Sequence, residues 1–159
     1  MKRDFQKKFR LKWRGLSFIF LFLSMDELIS IHEPLISIIH SFTNITSGFL
    51  YFAWVIPYGI SCVLFVFLYL NFLKSLPTKT RMLFIISGIT FCIGAIGMEL
   101  IGGKIFTTIG QLSWQFALST TVEETLEMLG ICLFIYALAD FISNNLGSVK
   151  TVFTDHLKD

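Results

Sequence analysis

Residues 49–73 read FLYFAWVIPYGISCVLFVFLYLNFL, with Gly48 before them and Lys74 and Pro77 after. No charged residue interrupts the run, and a helix rising 1.5 Å per residue needs about 20 apolar residues to cross the roughly 30 Å hydrocarbon core of a bilayer. The stretch predicts a membrane-spanning helix, with Tyr51 and Trp54 near one end, where amphipathic rings favour the water interface. Pro57 is expected to bend it locally. Working outward, comparable runs occupy Gly15–Glu33, Met82–Gly103 and Gln115–Phe141. No segment shows sustained period-two alternation. The predicted fold is therefore all-α, a four-transmembrane-helix bundle rather than a barrel.

Composition agrees. The 159 residues are 54% hydrophobic, 16% aromatic and 15% charged, with mean hydropathy +0.71, whereas soluble domains carry roughly 25% charged residues. A disordered segment and a soluble nucleic-acid-binding module are excluded, and with four spans in this length no appended soluble domain is expected. The first run is the shortest in purely apolar residues, Leu16–Leu23, and a signal peptide is its rival. No Ala-x-Ala-like cleavage site follows it, so it is expected to remain in the protein.

Charge sets the expected organisation: a basic arm at 1–14, a transmembrane domain at 15–142 and a tail at 143–159. Seven of the 13 basic residues lie in the arm. Lys74, Lys79 and Arg81 follow the second run, Lys150 and Lys158 lie in the tail, and Lys104 stands alone. Basic loops stay on the cytoplasmic side. Both termini and the 74–81 connection are thus expected in the cytoplasm of a bacterial inner membrane, with the Pro34–Gly48 loop and the Lys104 region outside.

Of the 11 acidic residues, Asp4, Asp140, Asp155 and Asp159 fall near the cytoplasmic surface by this reading. The other seven converge on the outer side: Asp26, Glu27, Glu33, Glu99, Glu123, Glu124 and Glu127. Asp26, Ser30 and Glu33 share one helix face, as do Thr120, Glu123 and Glu127. Gly88, Cys92, Ala95, Glu99 and Gly102 form a third stripe, which places Glu99 among small residues suited to close helix packing. Glu27 and Glu124 lie about 100° from their neighbours' faces. Each ionised carboxylate near a helix centre costs about 2.5 to 3.5 kcal/mol to insert. Only Lys104, His32 and His40 stand on that side to neutralise them. Protons, bound metal or admitted water must make up the deficit.

Three readings follow. The first is a metal site built from Asp26, Glu27, His32, Glu33, Glu99, Glu123, Glu124 and Glu127, because carboxylates and His on facing helices hold di-iron and di-manganese centres. The Glu-x-x-His spacing of those centres is absent, and an oxygen-rich set also suits calcium. A divalent ion of iron, manganese or calcium is the expected cofactor. The second is proton or cation handling, with Tyr58, Ser61 and Thr120 extending a polar path. The third is an accessory or assembly subunit whose acids make inter-helix or partner contacts. The bilayer is the expected partner, with a second copy or a membrane partner protein open alternatives. His40 is expected to be a solvated loop residue, and Trp13 and Trp114 interface anchors. Cys62, Cys92 and Cys132 sit singly on three spans and are read as core packing. No nucleophile triad or phosphate loop appears, so no catalytic residue is named and nucleotide chemistry is unsupported.

Leu23-Ser24-Met25-Asp26-Glu27 with Ile31-His32-Glu33, then Glu99 with Gly102 and Gly103, then Glu123-Glu124-x-x-Glu127-Met128-x-Gly130 occur in that order. Together they resemble uncharacterised bacterial multi-pass membrane proteins. The resemblance implies a site on the first, third and fourth spans and no particular activity.

Overall fold

The computed structural model describes the backbone of residues 2–145 and the side chains of residues 9–144. Asp4, Asp155, Asp159, Lys150, Lys158 and His156 lie outside the described side chains. The described residues are mostly helical, with an irregular stretch at 43–54, and contain no strand. α1 runs Lys2–Ile29, α2 Glu33–Phe42, α3 Val55–Ser75 and α4 Thr78–Cys92. A π-helical segment, Ile93–Met98, then joins α4 to α5, Glu99–Thr108, in one continuous rod, and α6 covers Trp114–Asn145. Among the described residues three rods are long and apolar enough to cross a membrane: α3, the 78–108 rod and α6. A fourth crossing exists if α1 and α2 count as one broken span, since they pass the same test together across an 86° bend.

That bend corrects the expected first span. α1 ends at Ile29 rather than Glu33, because Ser30 takes the left-handed conformation (φ 51°) and donates its N–H to the Asp26 carbonyl at 2.7 Å. Such a residue closes a helix. Pro34 then falls in the first turn of α2, where a missing N–H costs nothing. The expected Pro34–Gly48 loop therefore contains a helix. Pro57 lies in the first turn of α3, where the same reasoning applies, rather than in its interior.

α6 packs along the whole 78–108 rod, while α1 leans on α3. Two glycines permit the closest approach. A Cβ on Gly130 would meet the Phe91 Cβ and N at 2.8 Å, and one on Gly94 would meet the Glu123 carbonyl at 2.9 Å and the Glu127 Cγ at 3.1 Å. The predicted stripe holds in part: Gly102 is buried against α6, whereas a Cβ on Gly88 meets open space, and the buried residues before and within the π segment include Ser87 and Gly94. The cause is the π segment. A π turn holds more residues than an α turn, so it rotates the face that follows.

The hydrophobic core lies at the end of the molecule bearing the basic arm, where Leu16, Tyr69, Phe72, Leu76, Phe84, Ala137 and Phe141 are buried together. Trp13, expected as an interface anchor, packs edge-on against Phe72 at 4.9 Å and lies 5.4 Å from the Phe141 ring. Trp114 is 71% exposed. The Tyr69 hydroxyl donates to the Lys12 carbonyl at 3.0 Å, fastening α3 to α1, and Lys79 pairs with Asp140 across the helix ends at 2.5 Å. This end is closed by aromatic packing. The polar groups gather at the other.

Candidate functional site

Among the described residues Asp26 is the acid most completely removed from the surface, at 6% exposure. The turn at Ser30 folds the chain back so that the His32 N–H donates to Asp26 Oδ1 at 2.9 Å and the His32 ring Nδ1 lies 3.2 Å from the same oxygen. The Tyr58 hydroxyl, from α3, donates to Oδ2 at 3.0 Å. Both carboxylate oxygens are therefore engaged. A regular helix turns His32 away from Asp26; the bend removes that obstacle. Asp26→Ala leaves the His32 N–H and Tyr58 hydroxyl without their acceptor, a loss of about 2 kcal/mol. Thermal unfolding in detergent is expected to fall accordingly, with a Tyr58→Phe variant falling less.

The second group centres on Glu99, the first residue beyond the π segment. The indole N–H of Trp54, at the N-cap of α3, donates to Glu99 Oε1 at 2.8 Å. On its other side Glu99 faces Glu123 of α6, near enough for the two carboxyl groups to interact. A carboxyl–carboxyl hydrogen bond exists only with a proton between the partners. Glu127 lies within electrostatic reach of Glu99, Glu27, Glu124 and His32. Trp54 bridges the two groups, since its ring lies 4.7 Å from the His32 ring and 5.0 Å from that of Tyr58.

Glu99 also lines an open cleft of about 500 Å³. One wall is a single face of α2, carrying Glu33, Ile36, Ser37 and His40; the others come from His32, Tyr51, Phe52 and Trp54. His40 is thus half-buried in a helix rather than solvated in a loop, with its Nε2 2.9 Å from the Tyr51 carbonyl. Lys104 holds its Nζ over the Phe49 ring at 4.6 Å.

Of the eight residues singled out in the sequence, Asp26 and His32 are brought together, and so are Glu99 and Glu123, with Glu127 beside them. Glu27, Glu33 and Glu124 are exposed. Among the described residues no three His, Cys, Asp or Glu side chains converge on a point able to hold a metal ion. The second span, absent from the expected metal set, supplies Tyr58, which the proton-handling reading had named, and Trp54, which no reading had. Ser61 and Thr120 donate their hydroxyls to carbonyls of their own helix. Trp54 was legible only through the rule that a buried indole N–H finds an acceptor.

These features define an all-helical protein of membrane-length apolar rods that encloses carboxyl groups at one end. More particularly, the chain belongs to the family described as a domain of unknown function (DUF8692), whose model matches residues 1–141. No curated protein and no solved structure matches it.

Proposed function

We propose that the protein binds and exchanges protons at an intramembrane carboxyl site reached from one side of the membrane, with the arm and both termini on the cytoplasmic side and the cleft outside. One observation carries the reading: Glu99 borders the open cleft and at the same time meets Glu123 behind it. A proton arriving through the cleft can pass to Glu99 and be shared with Glu123, and the His32–Asp26–Tyr58 group offers a second, hydrogen-bonded acceptor beside Trp54. At the opposite end the described residues form an aromatic core around Phe72 and Phe141, which carries no carboxyl group. The site therefore loads and unloads on one face, and passage across the bilayer would require a further subunit.

A metal centre is less well supported, because the donors lie in pairs rather than around a common point. Exposed Glu27 and Glu124, among apolar neighbours such as Leu28 and Met128, favour a second role in contact with another membrane helix.

The experiment is infrared difference spectroscopy on protein in lipid nanodiscs across a pH titration. A protonated-carboxyl C=O band that appears and disappears with pH, with matching proton uptake from the medium, is expected. A spectrum without such a band counts against the reading. Stoichiometric iron, manganese or calcium in protein purified without chelator would restore the metal alternative.

A further inference from the structure

The geometry points to Cys62 and Cys92 as an oxidisable dithiol within the membrane-spanning region, closed to a disulfide by a lipid-soluble two-electron oxidant of the quinone class. The pair is invisible in the sequence, where the two residues stand on different helices with no Cys-x-x-Cys spacing. The fold brings their sulfurs to 3.5 Å, close enough for one thiol to hydrogen-bond the other. Both are half-buried between α3 and α4, whereas Cys132 is exposed on α6.

A disulfide holds its sulfurs about 2.05 Å apart, so bonding closes a gap of about 1.5 Å. Rotation about the two Cα–Cβ bonds is the available adjustment. Cys62 lies about 10 Å along α3 from its first residue, Val55, and Cys92 is the last residue of α4 before the π segment. In a bilayer this depth is reached by lipophilic oxidants and is closed to water-soluble ones. In the step itself, both S–H bonds break and the S–S bond forms. The two electrons and two protons pass to the quinone, which leaves as the quinol. The product staples α3, whose first turns carry Trp54 and Tyr58, to the rod that carries Glu99.

The test uses the full chain, reduced and reconstituted in lipid nanodiscs. It is exposed either to a fully ring-substituted, lipid-soluble benzoquinone, which has no free ring position for thiol addition, or to copper–phenanthroline in air. The protein is then denatured, and free thiols are labelled with a maleimide and assigned by mass spectrometry. Before oxidation all three cysteines label. After either oxidant only Cys132 is expected to label, dithiothreitol restores the others, and one quinol forms per chain in the quinone arm. Cys62→Ser and Cys92→Ser are each expected to keep both remaining thiols. Closure by copper–phenanthroline alone would overturn the quinone assignment. Retention of all thiols in both arms, or bonding through Cys132, would overturn the pair. The wild-type thiol count decides the matter even if a variant folds poorly.

Discussion

Replacing Glu99 and Glu123 together by Gln is expected to abolish the pH-dependent carboxyl band and the accompanying proton uptake, while the protein remains folded. Gln has the shape of a protonated Glu and carries N–H donors and a carbonyl acceptor. Its amide can occupy the Glu99–Glu123 contact without a shared proton. The amide carbonyl introduced by Glu99→Gln can still accept the Trp54 indole N–H, which is 2.8 Å from Glu99 Oε1. Stability is expected to change by no more than about 1 kcal/mol, the scale of one exchanged neutral hydrogen bond. The single variant Glu123→Gln should remove most of the signal, because Glu99 then accepts an amide hydrogen bond in place of the proton. Glu33→Gln, on the exposed wall of the cleft, serves as the comparison and should leave the band intact. An unchanged band in the double variant would move the proton-binding site elsewhere and end the proposal for this pair.

The largest stability loss is expected from Gly130→Val. Its Cβ would approach the Cβ and backbone nitrogen of Phe91 at 2.8 Å and the Cα at 3.0 Å. Two of those atoms are main chain and have no rotamer to retreat into. Relief requires the 78–108 rod and α6 to separate along the contact that organises the molecule. Overpacking of a fitted site costs about 1–3 kcal/mol, and the two methyl groups of Val put this variant at or beyond the upper figure. Gly88→Ala is the control from the same rod. It meets open space, and Ala in a helix is favoured over Gly by about 0.5–1 kcal/mol, so its unfolding temperature should hold or rise. Equal unfolding temperatures for the two variants in the same detergent would show that the close crossing is not what holds these helices together.

Much of the architecture was open to reading from the residues. Hydropathy marked the rods because a 20-residue apolar run has few alternatives to a buried or membrane-crossing helix, and the acids were drawn to one end by counting along each run. The inward setting of Glu99 was also foreseeable from its small neighbours. What escaped were the features that depend on departures from regular helix. The turn at Ser30 uses a left-handed residue that no propensity favours for serine, and it converts His32 from an outward-pointing residue into a partner of Asp26. Periodicity of 3.6 carried through residues 93–98 puts Gly88 on the face of Glu99 and Gly102, whereas the extra residue in the π segment puts Ser87 and Gly94 on the packed face instead. Of the two α3 groups, Tyr58 was named as part of a polar path, whereas Trp54 was missed because it resembles an ordinary interface aromatic until its hydrogen-bond acceptor is known. The Cys62–Cys92 contact is purely tertiary and leaves no local trace.

The π segment at Ile93–Met98 has the form left when one residue is inserted into an α-helix that neighbouring packing keeps in place. Were the segment to relax to a regular α-helix without losing a residue, everything downstream would swing through about 100°, carrying Glu99 away from Glu123 with no change in composition or apolar length. The one surplus residue is therefore what lets a rod of ordinary membrane length turn its carboxylate toward the neighbouring helix.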